Sequence, residues 1–299
     1  MDFKLLEELV AVRGSSGDEK DIRDFIIDHV LKNMSNWKTQ PELIYGDEFQ
    51  DCLILTFGKP KTAIYAHIDS IGYMVGYENN LIKIGGPKAE EGYELVGSDS
   101  QGEIDTEIMV IESEEGIRSL KSVSDRIYDR GTTLTFKPNF RNDGEFIQSP
   151  YMDNRLGVWV ALQVAQTLEN GAIVFSTYEE MGGNSVGFCS RYLLDRYQLR
   201  QSLICDITWV TDGVHHNKGV AISIRDKGVP RRSYINRILE IASASDIPYQ
   251  LEVESAGGSD GTVIQNSEFA VDWCFIGAPE DHVHSPDEKV HINDVAAMI

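Results

Sequence analysis

Histidines and carboxylates recur where short apolar runs of this sequence end. Such runs are typical of buried strands, and sites in open α/β sheets form at the carboxyl ends of strands. The side chains concerned are His67 and Asp69 after the first run, Glu179 and Glu180 after the second, Asp206 within the third, His284 after the last, and Asp153 at the start of a predicted helix. Together they predict one site at the edge of a sheet.

The types of these side chains indicate which metal they would bind. Histidine nitrogen with carboxylate oxygen suits zinc or cobalt, whereas calcium prefers all-oxygen ligands. The cysteines are scattered without a CxxC pair, which argues against a thiolate zinc site and against a disulfide scaffold: Cys52, Cys189, Cys205 and Cys274. Two zinc ions at about four ligands each need more donors than this set provides separately. A shared carboxylate and a bridging water would fill the gap.

The spacing within two pairs indicates separate roles. His67 and Asp69 lie two residues apart on a strand and therefore face the same side, so Asp69 can orient the imidazole. Glu179 and Glu180 are adjacent, so on an extended backbone they point in opposite directions. One glutamate can then bind metal while the other acts as a general base.

Each feature also has an ordinary structural alternative. A histidine at a strand end is commonly structural, an acidic pair is commonly surface charge, and Asp153 could serve only as a helix cap. Asp206 differs, because an Asp within LICDITWV would be buried and would need a partner. His282 is an alternative to His284, and Asp212 is an alternative to Asp206. Three further histidines are predicted to be solvated or at the surface: His215, His216 and His291.

The elements that must position these residues alternate between helix and strand. Apolar spacing predicts two N-terminal helices separated by a break at 14–17. After residue 151 the pattern predicts helices at 153–169, 185–197 and 232–245 and strands at 172–178, 203–210, 220–225 and 269–276. Apolar strands alternating with helices predict an α/β fold in which a mixed sheet is flanked by helices on both faces.

A different pattern occupies the stretch from 71 to 150. Short β-like pieces are separated there by Gly, Asp and Glu, which predicts a small barrel or sandwich. We therefore predict a discontinuous catalytic domain, 1–70 and 151–299, and an inserted β domain, 71–150. Strand edges are commonly covered by another chain, so we expect some apolar residues of the insert at a subunit contact: Ile71, Tyr73, Met74, Val75, Leu81 and Ile84.

Composition limits the partners and the compartment. The 299 residues are 41% hydrophobic and 25% charged, as in globular proteins, and their net charge of −21 argues against binding nucleic acid or anionic lipid. No apolar run approaches the roughly 20 residues that span a bilayer. The opening MDFKLLEELV lacks the cationic start of a signal peptide, so a cytoplasmic location is predicted. The closing HINDVAAMI reads as the beginning of a final helix, and further residues are expected beyond it.

The segment AHIDSIGYMVG resembles the A-H-x-D-E-I-G-F-x-V signature of the deblocking or glutamyl-type aminopeptidases. These metallopeptidases are known for hollow tetrahedral assemblies, and some carry the name cellulase. The blocks YMDNRLGV, TYEEMG, CDITWVTD, GGSDGTVIQ and HVHSPDE follow in the family's order, so the resemblance covers nearly the whole chain. Two departures are Ser70 in place of the usual Glu and Gly183-Asn184-Ser185 in place of Leu-Arg-Gly. We expect both to affect substrate preference rather than catalysis.

The resemblance implies a zinc-exopeptidase-like fold and a role for each site residue. Asp153 would bridge two divalent ions, zinc or cobalt, with further ligands His67 and Asp206 for one ion and Glu180 and His284 for the other. The implied catalytic residues are Glu179, as general base, and Asp69, which orients the first site.

The implied activity is a metallo-aminopeptidase that cleaves N-terminal residues from peptides through a water held between two metals. Similar proteins assemble as dodecamers with the insert at subunit contacts, so a homo-oligomer, a dimer or a dodecamer, is expected. The main alternative is a related di-metal amidohydrolase acting on acylated amino acids or small amides. A catalytically silent assembly protein and a glycosidase are further alternatives.

Overall fold

The helices and strands form two sheets with helices packed against the larger one. The computed structural model describes residues 1–113, 115–116, 118–183 and 185–299, so Asn184 lies outside the described residues. None of the helices described there is long and apolar enough to cross a membrane. Numbered along the chain, the helices are α1 (Lys4–Ala11), α2 (Lys20–Asn33), α3 (Met152–Ala165), α4 (Ser185–Tyr197), α5 (Arg232–Ala244), α6 (Asp260–Asn266) and α7 (Ile292–Met298).

The smaller sheet is antiparallel and nearly closes into a barrel. Its strands are β4 (Gly72–Val75), β5 (Leu81–Ile84), β6 (Glu94–Asp99), β7 (Gly102–Glu112), β8 (Arg118–Ser122) and β9 (Thr133–Phe136), in the spatial order β5-β4-β9-β6-β7-β8. A bridge between Asn80 and Lys121 brings the two edges together.

The larger sheet is mixed and holds the other strands of the described residues. They are β1 (Glu42–Ile44), β2 (Leu53–Phe57), β3 (Ala63–His67), β10 (Arg141–Asn142), β11 (Phe146–Gln148), β12 (Gly171–Ser176), β13 (Gln201–Trp209), β14 (Val220–Arg225), β15 (Tyr249–Val253), β16 (Asp272–Asp281) and β17 (Lys289–His291). The spatial order is β1-β2-β12-β3-β13-β16-β17-β11-β10, and β14 pairs with β15 and β16. Because β12, β3, β13 and β16 run parallel, their carboxyl ends lie at one edge of the sheet.

Apolar cores lie on both faces of the larger sheet. In β2, Leu53 and Leu55 pack in the core that includes α1, α2 and α3, whereas Ile54 packs in the core that includes α4 and α6. Successive side chains of a strand point to opposite faces, so a continuous apolar strand serves both cores. The predicted α/β fold, a mixed sheet flanked by helices on both faces, is confirmed.

The predicted insert, 71–150, contains the whole smaller sheet and also two strands of the larger one. The strands of the smaller sheet lie between 72 and 136, whereas β10 and β11 pair with each other and β11 pairs with β17. The larger sheet therefore includes the last part of the predicted insert.

Most apolar residues expected at a subunit contact are buried within the chain instead. The buried ones, at most 7% exposed, are Ile71, Tyr73, Val75, Leu81 and Ile84. Met74 is 40% exposed, because alternate residues of β4 point outward. The large apolar side chains that face outward from the barrel segment also include Tyr77, Ile82, Ile111, Val123 and Ile127.

Candidate metal centre

The predicted site residues meet at the edge where the parallel strands end. They are His67 at the end of β3, Glu179 and Glu180 after β12, Asp206 within β13, His284 after β16, and Asp153 in the first turn of α3. Asp153 does not cap its helix: the cap position is Tyr151, without a side-chain cap hydrogen bond. The carboxylate of Asp153 faces His67 and His284 instead.

Two groups of three donors share Asp153. One group is His67, Asp153 and Asp206, the other is Asp153, Glu180 and His284, and within each the donor atoms lie within 4.8 Å of one another. His67 Nε2 lies 3.1 Å from Asp153 Oδ1 and 3.6 Å from Asp206 Oδ2. His284 Nε2 lies 3.3 Å from Asp153 Oδ2 and 3.3 Å from Glu180 Oε2. Asp153 thus offers a different oxygen to each group.

These donors fit divalent cations. The side chain of Glu180 is 4% exposed, and its Oε1 atom is buried without a hydrogen-bond partner among the described residues. Within the same part of the chain, no lysine or arginine forms a salt bridge with Asp153, Glu180 or Asp206. Clustered buried carboxylates need compensating positive charge, and one imidazole with two carboxylates is a donor set that zinc accepts. The two groups could therefore hold one ion each.

The electrostatics of the cluster favour a bound cation. Burial by itself would lower the pKa of His284, but its bonds to Asp153 and Glu180 raise it to about 11. Burial by itself would raise the pKa of Asp153, but hydrogen bonds from His284 and His67 lower it below its usual range. Burial raises the pKa of Asp206 well above its usual range. Asp153, Glu180 and Asp206 therefore compete for the positive charge of the two imidazoles, and a bound cation would add to that charge.

Glu179 lies beside the donors but belongs to neither group. Burial, together with the charges of Asp206, Asp260 and Glu180, raises its pKa well above the usual range for a glutamate. Asp69 accepts hydrogen bonds from the backbone amides of Glu179 and Glu180 and lies 3.4 Å from His67 Nδ1. Asp69 therefore contacts His67 and the backbone of both glutamates without belonging to either donor group.

Left-handed backbone conformations flank the site. The non-glycine residues with positive φ include Tyr151 (67°), Tyr178 (62°), His282 (62°) and His284 (64°). Each such residue costs energy and persists only where surrounding contacts hold it, and such residues cluster at functional sites.

A cavity of about 380 Å³ adjoins the two donor groups. Beyond the donors and Glu179, its lining includes three acidic residues, Asp226, Glu252 and Glu254, and Lys227 is the only lysine or arginine among its described lining residues. Glu252 is 3% exposed and accepts a hydrogen bond from the hydroxyl of Thr208. The lining therefore carries an excess of carboxylates over basic side chains.

The alternative candidates take no part in either donor group. His282 and Asp212 are exposed. His216 is part-buried and lies 3.0 Å from a carboxylate oxygen of Asp281. The prediction of a surface position for His291 was wrong: it is 4% exposed and its Nδ1 accepts the backbone amide of Asn293 at the start of α7.

Sequence reasoning missed residues that support the donors. Ser16 donates a hydrogen bond of 2.6 Å to Asp69, and Glu19 accepts the backbone amide of Tyr178 at 3.3 Å. Glu288 accepts the backbone amides of Asp153 and His284. The available signal for Glu288 was its place inside the block HVHSPDE, four residues after His284.

The chain is similar in sequence to known aminopeptidases. Residues 91–299 match the sequence model of the family described as M42 glutamyl aminopeptidase. Over 339 aligned residues the chain is 25% identical to a lysyl aminopeptidase from Pyrococcus furiosus, and the alignment covers 99% of this chain and 94% of that protein.

Solved structures of aminopeptidases have a similar fold. An aminopeptidase from Desulfurococcus kamchatkensis superimposes with a TM-score of 0.84 at 21% identity, covering 99% of this chain and 91% of that one. The Pyrococcus horikoshii TET1 peptidase, which can assemble into a tetrahedron or a large octahedral shell, has a TM-score of 0.80 at 21% identity, covering 97% and 94%. At these identities the likeness establishes the fold.

Proposed function

The chain belongs to the M42 glutamyl aminopeptidase family, and on that premise we propose that it removes N-terminal residues from peptides with two divalent metal ions, zinc or cobalt. The observation that carries this proposal is the position of Asp153, which offers one oxygen to each donor group. When bound, the ions would polarise the scissile carbonyl and lower the pKa of the attacking water.

The proposed ligands follow from the two donor groups. His67 and Asp206 would hold one ion and Glu180 and His284 the other, with Asp153 shared between them. The support is the short distances from each imidazole Nε2 to two carboxylate oxygens, 3.1 and 3.6 Å in one group and 3.3 Å twice in the other.

Glu179 is the proposed general base. It lines the cavity next to the donors without belonging to either group, so its carboxylate is available to accept a proton from the attacking water. The same carboxyl group would return that proton to the leaving amine. Asp69 would position Glu179 and Glu180 through their backbone amides and would orient His67.

The cavity supports a preference for positively charged N-terminal residues. Asp226, Glu252 and Glu254 lie beyond the donors, against the single basic residue Lys227. A cationic side chain entering this cavity would meet carboxylates, whereas an anionic one would be repelled. The relative from Pyrococcus furiosus carries the name of a lysyl aminopeptidase, an activity of the same class.

The predicted assembly and location form part of the same proposal. We infer a catalytic domain of 1–70 and 151–299, and an insert of 71–150 that joins subunits into a dimer or dodecamer and limits access to the sites. The outward-facing apolar side chains of the barrel segment, such as Tyr77, Ile82 and Ile127, support this. All four cysteines are buried and free, which suits a reducing cytoplasm.

Metal analysis combined with paired substrates tests the function. Aminoacyl-anilides with a free N-terminus are compared with the same compounds after acetylation, on protein of measured metal content. Cleavage of the free forms alone, with two ions per chain, is the expected result. Preference for acetylated compounds would instead identify the amidohydrolase alternative.

A further inference from the structure

The carboxylate of Glu288 contacts the backbone of two proposed metal ligands. Its Oε1 atom accepts a hydrogen bond of 2.9 Å from the amide of His284, and its Oε2 atom accepts one of 3.1 Å from the amide of Asp153. Glu288 is 0% exposed. One buried side chain thus ties the loop after β16 to the first turn of α3.

Neither of these two backbones is fixed by regular secondary structure. His284 has a φ of 64°, in the left-handed region that non-glycine residues rarely adopt. Asp153 has φ −77° and ψ 102°, outside the helical region although it lies within the bounds of α3. Each carboxyl oxygen of Glu288 accepts one of these two amides, so a single side chain can hold both conformations.

The first donor group is positioned differently. His67 is the last residue of β3 and Asp206 lies within β13, and these two strands pair in parallel. Backbone pairing in the larger sheet therefore sets the separation of His67 from Asp206. Within the second group, Asp69 holds the amide of Glu180, and Glu288 holds the amides of the other two ligands.

We propose that Glu288 is a positioning residue that sets the metal affinity of the second donor group, Asp153, Glu180 and His284, without itself binding the ion. The inference rests on the proposed function, since it needs metal at these donors. The ion held by His67 and Asp206 would depend on Glu288 only through the shared Asp153, so the two sites should respond unequally when Glu288 is changed.

Glu280 supplies a matched control. It is also a buried glutamate, 1% exposed, on β16 near Glu288, but neither of its carboxylate oxygens has a hydrogen-bond partner among the described residues. Glu280→Gln therefore removes the same ionisable group from the same region without breaking a contact to a ligand. Glu288→Gln leaves one acceptor oxygen and places an NH₂ group against the second amide.

The experiment measures zinc affinity of the full-length protein. Wild type, Glu288→Gln and Glu280→Gln are stripped with a chelator and titrated with zinc against a chromophoric competitor. We expect two ions in wild type and in Glu280→Gln. In Glu288→Gln we expect one ion near wild-type affinity and one weakened by about 10- to 100-fold, the range typical for partners that orient metal ligands.

Thermal unfolding of the metal-free proteins separates positioning from a general structural role. Positioning predicts a metal-free unfolding temperature close to wild type and a smaller rise on adding zinc. Wild-type affinity at both sites of Glu288→Gln, or equal weakening of both, overturns the proposal. Should that variant not fold, Glu288→Asp keeps the charge with a shorter reach, and the same unequal loss is required of it. A wild-type protein that binds no zinc or cobalt would refute the proposed function itself.

Discussion

The carboxylate of Asp69 accepts a hydrogen bond from the backbone amide of Glu179, with 3.0 Å between Oδ1 and the nitrogen. Its second oxygen accepts the amide of Glu180 at 3.2 Å and the hydroxyl of Ser16 at 2.6 Å. One buried carboxylate therefore fixes two consecutive residues. That arrangement lets Glu180 join a donor group while Glu179 remains beside it, so adjacent glutamates can have different roles.

Replacing Glu179 with Gln should abolish most of the activity. Gln keeps the size of the side chain but cannot accept the proton, so we expect turnover to fall by at least about 100-fold. Metal content should stay near wild type, because Glu179 belongs to neither donor group. Steady-state kinetics with an aminoacyl-anilide and elemental analysis measure both quantities. Glu240→Gln, at an exposed glutamate of α5 outside the cavity lining, is the control, and full activity in Glu179→Gln would remove Glu179 from the mechanism.

Asp153→Ala should lose both ions together. Its two oxygens face different donor groups, so one substitution leaves each group with only two donors. Loss of a helix cap would instead cost about 1 kcal/mol of unfolding free energy and leave the metals in place. Elemental analysis after gel filtration distinguishes these outcomes, with the exposed Asp212→Ala as control. Two ions per chain in Asp153→Ala would show that the bridge is not needed.

The cavity lining predicts the order of substrates. Lysyl and arginyl anilides should give a higher kcat/KM than glutamyl and aspartyl anilides, because the lining has an excess of carboxylates. Glu252→Gln should reduce the preference for lysyl over leucyl anilide while metal content stays constant. A wild-type preference for acidic residues would show that Lys227 governs the cavity instead.

Strand-end placement predicted that most of these side chains would lie at one edge of the sheet, because parallel strands bring their carboxyl ends together. Their division into two groups around Asp153 was implied only by the family resemblance. The structure brings His67, Asp153 and Asp206 together as one group and joins Glu180 and His284 to Asp153 as another. The final strand was predicted at 269–276 but extends over Asp272–Asp281. Pairing with β13 continues through Pro279 and Glu280, two residue types with a low propensity for strands.

Long-range contacts explain what local patterns could not predict. β15 (Tyr249–Val253) was not predicted, since its exposed Leu251 and Val253 and buried Glu252 reverse the usual pattern. Only pairing with β14 and the cavity beside it gives Glu252 its buried position. The apolar residues of β4 were predicted at a subunit contact, but Tyr73 and Val75 are buried in the barrel. The sequence alone does not show which face of a strand will point into the barrel.

Glu19 should make stability depend on pH. Burial raises the pKa of Glu19 to about 7 from a usual value of 4.5. Backbone hydrogen bonds oppose this rise, and the charge of Asp69 adds to it. The buried guanidinium of Arg155 also interacts with the charge of Glu19. The folded state therefore holds this proton more tightly, so its contribution to stability is lost as pH rises from about 4.5 to about 7. Glu19→Gln lacks that loss. Between pH 5 and pH 8, the free energy of unfolding measured in urea should increase for Glu19→Gln relative to wild type. A difference in unfolding free energy that does not change with pH would contradict the assignment.

The outward face of the barrel segment predicts assembly. Tyr77, Ile82 and Ile127 are each more than 60% exposed, and exposed apolar side chains of this size commonly mark a contact with another chain. We expect light scattering at low protein concentration to give a mass well above that of one chain. Ile82→Lys combined with Ile127→Lys should lower that mass, because burying two unpaired charges opposes association.

The matched control for this pair places the same charges on another surface. Ile241 and Val229 are also exposed, at 57% and 59%, but lie outside the barrel segment. Lysine at both positions should leave the mass unchanged if the barrel forms the contact. Each variant should retain its bound metal, since none of these residues lies in a donor group. A wild-type protein that is active as a strict monomer would leave the barrel without a role in assembly, while the metal chemistry at Asp153 would stand.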